Sequence, residues 1–132
     1  LSVMAGKIVA DTLEHSTAGS IATNYVVNGS AKAWVSFNGT GTIAVKDSLN
    51  ISSLNDDGVG LHDTNFTNSF DNTNYSCVSQ SSYIDAASNN VSMNMFETVG
   101  LSTSSAPYIS QIASGGNEDR SHHSSLNHGD LA

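Results

Sequence analysis

The sequence contains very little cysteine, proline and basic charge. Its 132 residues include one Cys, one Pro and four Lys or Arg residues, against twelve Asp or Glu residues. The single cysteine, Cys77, excludes a disulfide within the chain and makes synthesis in the cytosol the default expectation. Its neighbours in NYSCVSQ carry no basic side chain that would lower the thiol pKa, so we expect Cys77 to be buried and inert.

The shortage of basic residues and of long apolar runs argues against two kinds of partner. The net charge is −8, and the basic residues are far apart in sequence, so nucleic-acid binding is not expected. No apolar run approaches the roughly 18 residues of a membrane span, so membrane insertion is not expected either. The N-terminal stretch lacks a basic leader and a continuous apolar region, which argues against a signal peptide.

Short polar side chains are abundant instead. Ser, Thr and Asn make up about a third of the residues. These side chains offer the backbone hydrogen bonds that compete with a helix, and they suit extended strands joined by tight turns. No apolar period of 3.6 residues extends over three turns. The composition therefore predicts an all-β fold, in a chain long enough for one modest core.

The first 29 residues differ from the rest of the chain. Two short extended pieces are expected, at residues 7–13 and 21–27, separated by the small residues of STAGS. Residues 12–16 could form one helical turn instead. Because the segment has too few apolar positions for a core of its own, we interpret residues 1–29 as an N-terminal arm for docking or oligomerisation.

The clearest strand signal begins at residue 31. Ala33, Val35 and Phe37 alternate with residues of the opposite face. The Asn-Gly pair in NGTG, residues 38–41, is a strong hairpin signal, so residues 31–37 and 42–51 are predicted to pair as antiparallel strands. The apolar residues of the second strand share one face: Ile43, Val45, Leu49 and Ile51.

Further short strands are expected at spacings of about ten residues. They cover residues 59–67, 75–80, 91–97, 108–112 and 125–131, and NDDG at residues 55–58 is expected to be a turn. Short strands with Gly and Asn turns describe an antiparallel sandwich or barrel. We expect residues 30–132 to form a jelly-roll-like antiparallel β-sandwich.

Trp34, the only tryptophan, raises a question about the outer face of this domain. It shares a strand face with Lys32 and Ser36, opposite the apolar face of the same strand. A side chain of this size needs a cover, which could be the arm, a neighbouring subunit or the opposite sheet. We expect Trp34 to be an oligomer or arm contact.

The histidines invite a metal hypothesis that the spacing does not support. His122 and His123 are adjacent, so in a strand they point to opposite faces and cannot share an ion within one strand. His128 could meet its copies at the axis of a trimer and bind a metal there, but surface or polar-core histidines are the simpler interpretation. No metal and no cofactor is expected.

Catalytic patterns are equally weak. The sequence has no G-x-S-x-G motif, and Asn55, Asp56 and Asp57 are explained as a turn without a full calcium-loop pattern. Glu118, Asp119 and Arg120 are expected to form a solvated loop. We therefore expect no enzymatic activity, and an esterase or depolymerase acting on polysaccharide is a minor hypothesis.

Binding of a carbohydrate is more plausible than catalysis. Tyr83 and Tyr108, in or beside the polar loops at residues 80–90 and 100–107, could stack on sugar rings while the loops hydrogen-bond the hydroxyls. These two tyrosines are the candidate ligand-binding residues. Tyr and Asn are also common in exposed β loops, so the same residues could have no ligand.

Several segments together resemble a family of bacteriophage virion proteins, the tail fibre or tail structural proteins. They are KIVADTLEHSTAGS, YVVNGSAKAWVSFNGTGTIAVKDSLNISSLNDDG, NFTNSF with NYSC, and the closing HGDLA. The likeness is densest at residues 25–77 and covers little of residues 79–127. The family usually has alternating apolar residues before NFT, whereas this chain places His62 and Thr64 in phase with Phe66.

The resemblance implies a homotrimeric, fibrous or knob-like module of a phage tail, without enzymatic chemistry. The implied partners are two further copies of the chain, other phage tail proteins and a host cell-surface glycan or protein, and the implied location is the virion, after synthesis in the host cytoplasm. A chain with few large apolar residues would gain from oligomerisation the core it lacks. The alternative function is a monomeric carbohydrate-binding β-sandwich module.

Overall fold

The regular structure consists almost entirely of antiparallel strands, which confirms the all-β prediction. The structure is a computed structural model that describes residues 6, 8–82, 92–95, 100–112 and 115–132. The chain divides between Ser30 and Ala31 into two units. None of the helices in the described ranges is long and apolar enough to cross a membrane.

The first unit contains a two-stranded sheet followed by a short helix. Strand β1, Thr12–His15, pairs antiparallel with β2, Gly19–Ala22, and helix α1 spans Thr23–Gly29. Residues 23–29 are helical, so the prediction of an extended piece at residues 21–27 is wrong over most of its length. Residues 12–15 form strand β1, so the alternative of a helical turn at residues 12–16 is also wrong. The hydroxyl and N–H of Thr23 donate to the carbonyl oxygens of Ala10 and Asp11, so contacts distant in sequence fix the start of the helix.

In its described residues, the second unit contains eight strands in two four-stranded sheets. The first sheet has the order β4-β3-β10-β7 and the second has the order β5-β6-β9-β8, with antiparallel pairing throughout. The strands are β3 Ala33–Asn38, β4 Ala44–Leu49, β5 Ile51–Gly58, β6 Leu61–Phe66, β7 Ser76–Ser82, β8 Ser92–Met95, β9 Ser105–Ile112 and β10 His122–His128.

Two sequence predictions for this unit are confirmed. Strands β3 and β4 form the antiparallel pair that NGTG predicts. The alternating residues Ala33, Val35 and Phe37 are buried, so the inner face of β3 lies where the period of two placed it. The strands expected at residues 91–97 correspond to β8 only over Ser92–Met95, because the other residues of that range lie outside the described part of the chain.

The single strand expected at residues 42–51 is instead two strands in different sheets. Asn50 separates β4 from β5 with a positive φ of 58°, a backbone conformation that bends the chain from one sheet into the other. The turn expected at NDDG is also wrong, because these residues form the end of β5. The chain reverses at residues 59–60, and Gly58 and Gly60 adopt φ values of 140° and 67° that other residues rarely adopt.

The two sheets contact each other through aromatic and small side chains at one end of the unit. The core cluster contains Ala33, Phe66, Phe70, Tyr75, Ala106 and Tyr108. The rings of Phe70 and Tyr75 are stacked with centroids 4.3 Å apart, and Phe66 meets both rings edge-on. This set of three rings, Phe66, Phe70 and Tyr75, is named the aromatic cluster, and it carries no charge at neutral pH.

Asn50 provides a test of the sheet-to-sheet bend. Its side chain donates to the carbonyl oxygen of Asn68 at 3.0 Å and accepts from the Asn68 N–H at 2.7 Å. Asn50→Ala removes both bonds and retains the unfavourable φ, so we expect it to lower the free energy of unfolding by about 2 kcal/mol. Asn50→Gly loses the bonds but relieves the backbone, so its loss should be about 1 kcal/mol.

Urea unfolding followed by circular dichroism measures both changes. Asn55→Ala, at an exposed position on β5, is the matched control and should change the free energy of unfolding by less than about 0.5 kcal/mol. Equal stability of Asn50→Ala and the unsubstituted chain would show that the bend does not depend on Asn50.

Candidate functional site

Four apolar side chains cross the outer face of the first sheet in a single row. Leu49 pairs with Trp34, Trp34 pairs with Leu126, and Leu126 pairs with Val78. Directly paired residues point to the same face of a sheet and lie close together, so the four side chains are consecutive neighbours. We name this set the apolar row. Leu49, Leu126 and Val78 expose 49%, 47% and 66% of their surface, and Trp34 is half-buried.

Polar residues border the apolar row on both sides. The positions two residues away along each strand are occupied on one side by Asp47, Ser36, Ser124 and Gln80, and on the other by Lys32, His128 and Ser76. An apolar centre with an aromatic anchor and a polar rim is the usual composition of a protein–protein interface. The register therefore brings Trp34, which the sequence singled out, together with three apolar residues that the sequence did not connect to it.

The opposite face of the first sheet carries a buried group of three rings, which we name the histidine cluster: Phe37, His62 and His123. The imidazole of His123 is stacked on the Phe37 ring at 4.7 Å, with an interplanar angle of 11°. His62, from the second sheet, meets Phe37 edge-on at 5.4 Å and His123 at 4.9 Å. The cluster therefore joins the two sheets by side-chain contact.

Gly39 leaves room for the two imidazoles. A methyl group at this position would lie 2.7 Å from Nε2 of His123 and 2.8 Å from Nε2 of His62. Both Nε2 atoms therefore point toward the same backbone segment, directly after β3. No other side chain could occupy position 39 without displacing a ring.

Residues 115–121 form a loop that is hydrogen-bonded to two turns beside the histidine cluster. The Gly39 N–H donates to the carbonyl oxygen of Arg120 at 2.9 Å, and the Gly60 N–H donates to Oδ1 of Asp119 at 2.6 Å. The Arg120 N–H donates to Nε2 of His123 at 3.3 Å. This loop thus closes one end of the two sheets.

Arg120 corrects the expectation that Glu118, Asp119 and Arg120 form a solvated loop. Its side chain is 1% exposed and pairs with the Glu118 carboxylate at 2.8 Å, while Glu118 and Asp119 remain about one-third exposed. Charge in a sequence normally indicates a solvated segment, because a buried charge is unfavourable unless it is paired. Here the ion pair with Glu118 offsets that penalty.

Both buried histidines are neutral at pH 7. Burial, with smaller contributions from His62, His122, Arg120 and Lys46, lowers the pKa of His123 to about 3. Burial also lowers the pKa of His62, although the carboxylates of Asp119, Asp56 and Asp57 oppose the shift. The 4.0 Å separation between Nε2 of His62 and Oδ1 of Asp119 is too long for a hydrogen bond, and with His62 neutral it is not an ion pair.

The histidines do not form a metal centre of the usual kind. As expected from their adjacency, His122 and His123 lie on opposite faces of β10, with His122 half-buried and His123 buried. His128 is exposed on the outer face. Within the described ranges, no group of three or more His, Cys, Asp or Glu side chains is placed to hold a metal ion.

Tyr108 lies inside the protein, which corrects its expected role as a surface ring that stacks on sugars. It is 5% exposed, and its hydroxyl donates to Oδ1 of Asn127 at 3.3 Å. Burial raises the pKa of Tyr108 to about 12, so the hydroxyl stays protonated. The second candidate, Tyr83, lies outside the described residues, and its role stays a prediction.

Cys77 lies beside Asn127 and its thiol is unreactive. Its thiol donates to Oδ1 of Asn127, and burial raises the pKa of the thiol to about 11. The thiol is therefore protonated at neutral pH and a poor nucleophile, as expected from the sequence, although Cys77 is half-buried and not buried as predicted. The sequence did not indicate the partner, because Cys77 and Asn127 are brought together only by the pairing of β7 with β10.

The comparisons with known proteins add no further assignment. No protein-family model matches the chain, and neither curated proteins nor solved structures give a significant match.

The close approach of Gly39 to the imidazoles gives a second test. Gly39→Ala forces two packed rings to move, so we expect the free energy of unfolding to fall by about 1–3 kcal/mol. Gly116→Ala is the matched control, because its added methyl would lie at an ordinary 3.6 Å from Cδ1 of Ile112. Urea unfolding of both variants measures the difference, and a Gly39→Ala variant as stable as Gly116→Ala would contradict the tight packing.

Proposed function

We propose that this chain is a phage virion structural protein, a tail fibre or tail-associated module that assembles as a homotrimer. The resemblance of its segments to that protein family supports the proposal, and so does a fold made of antiparallel strands. In this proposal the two four-stranded sheets form a jelly-roll-like β-sandwich, and the N-terminal unit docks on other tail proteins or takes part in oligomerisation. The assembled module contacts the host surface or a neighbouring virion protein.

The single observation that carries the proposal is the apolar row. Trp34, Leu49, Leu126 and Val78 form a continuous apolar surface on a sheet whose other outward side chains are mostly polar. Full burial of a side chain of this kind stabilises an association by about 1.5–3 kcal/mol, so a neighbouring subunit placed over the row would gain substantially. Isolated exposed apolar residues are common on monomers, but a bordered row of four with a central Trp indicates a partner.

The alternative, a monomeric carbohydrate-binding module, has weaker support. Its proposed aromatic platform included Tyr108, which is buried, and a buried ring cannot stack on a sugar. It predicts a monomer in solution, so the experiment on oligomeric state separates the two functions.

The oligomeric state tests the apolar row directly. Size-exclusion chromatography with light scattering at micromolar concentration should give about three times the chain mass of 13.7 kDa. The double variant Trp34→Ser with Leu126→Ser should shift the protein toward monomer at the same concentration, because the centre of the interface is lost. Its circular dichroism spectrum should stay that of a β protein, since both side chains lie on the outer face.

Val59→Ser is the matched control, because Val59 is 61% exposed in the turn between β5 and β6 and lies outside the row. It should leave the oligomer intact. A monomeric unsubstituted chain would argue against the proposal and for the alternative. Placement in the virion is tested separately by antibody labelling of purified particles, where particles that lack the chain would contradict the assignment.

A further inference from the structure

The histidine cluster and the loop of residues 115–121 form one connected unit. Hydrogen bonds from Gly39 to Arg120, from Gly60 to Asp119 and from Arg120 to His123 attach the loop beside the histidine cluster. The Glu118 N–H also donates to the carbonyl oxygen of Ser110 at 3.0 Å, which ties the loop to β9. A change at either imidazole therefore acts on the same loop.

His123 holds the loop only in its neutral form. Its Nε2 accepts the Arg120 N–H, so the ring proton of the neutral imidazole lies on Nδ1. A second proton on Nε2 would remove this acceptor and place the Nε2–H of His123 against the N–H of Arg120. It would also put a positive charge beside the Arg120 guanidinium and against the face of Phe37, in a position from which water is excluded.

Protonation of His62 would also weaken the attachment of the loop. Its side chain is 1% exposed, and in the described ranges neither of its ring nitrogens has a hydrogen-bond partner. An added proton would therefore be buried with Asp119 at 4.0 Å as the nearest carboxylate and with His123 at 4.9 Å. The Asp119 oxygen already accepts from Gly60, so a closer contact with His62 would draw it from the turn that it holds.

The charged groups around the two imidazoles come from four elements. They are Lys46 on β4, Asp56 and Asp57 on β5, His122 on β10, and Glu118, Asp119 and Arg120 on the loop. β7 and β9 contribute the neutral groups Ser79, Gln80 and Tyr108 near His123. Carboxylates favour the protonated form of His62, whereas Arg120 and Lys46 disfavour that of His123, so the two rings are unequal and His62 takes the first proton.

We propose that His62 and His123 form an acid-sensitive latch: protonation below about pH 6 releases residues 115–121 and opens this end of the two sheets, while the aromatic cluster stays packed. The latch works because an opened loop exposes both imidazoles to water, where they accept protons that the closed form resists. The equilibrium for opening then rises as the pH falls. The aromatic cluster, which contains no histidine or carboxylate, has no equivalent response.

Hydrogen exchange followed residue by residue by NMR tests the latch. Between about pH 7 and pH 5.5, after correction for intrinsic exchange, the amides of Gly39, Gly60, Glu118 and Arg120 should lose protection about tenfold for each histidine that is protonated in the open form. Phe70, whose N–H donates to the carbonyl oxygen of Thr103 beside the aromatic cluster, should keep its protection. Equal protection at both pH values in the loop would overturn the proposal.

Variants identify the groups responsible. The double variant His62→Gln with His123→Gln cannot take up protons, so the pH dependence of loop protection should fall to less than about threefold. His128→Gln, at the exposed end of β10, is the matched control and should behave like the unsubstituted chain. A double variant that keeps the tenfold change would show that other groups titrate.

The unsubstituted protein gives an independent reading if the double variant does not fold. NMR titration of the imidazole carbon-bound protons should show His62 and His123 midpoints well below 6.5, the ordinary value for histidine, and the loop amide shifts should move with them. Midpoints at 6.5, or loop shifts that follow a different midpoint, would refute the latch. None of these outcomes depends on the oligomeric state, so the latch and the proposed trimer are tested independently.

Discussion

The contact of two imidazoles with the Phe37 ring joins the two sheets. His123 comes from the first sheet and His62 from the second, and the rings fill the space that Gly39 leaves open. In most protein cores, Leu, Ile or Phe side chains fill such a space between two sheets. A chain with few such residues closes its core with flat, polar rings, which pack well but retain the ability to ionise.

The interior as a whole follows the same constraint. Beside the aromatic cluster, hydrogen bonds connect the half-buried Cys77 with the buried Asn127 and Tyr108 across the sheets. A hydrogen bond offsets much of the cost of burying a polar group, so the stability of this core depends on these contacts as well as on buried apolar area.

Sequence patterns predicted the parts of the fold that depend on local chemistry. The period of two in β3 placed Phe37 inside, and Asn-Gly placed the hairpin after it. Patterns failed where distant groups decide the outcome. Arg120 is buried because its side chain pairs with Glu118 and its carbonyl oxygen accepts the N–H of Gly39. His62 and His123 are far apart in sequence and meet only because the two sheets pack together. The phase of His62 with Thr64 and Phe66 was the available signal that it faces inward.

The left-handed backbone conformation of Asn50 determines which of its neighbours face the core and which face the outer surface. Strict alternation from Leu49 to Ile51 would place both side chains on one face of one strand. Because Asn50 bends the chain between sheets, Ile51 packs against the core while Leu49 remains half exposed beside Trp34. The apolar row is therefore a consequence of the same bend that creates the second sheet. A chain that needed only a monomeric core would gain from a polar residue at position 49, so the retained leucine is consistent with a surface that a partner covers.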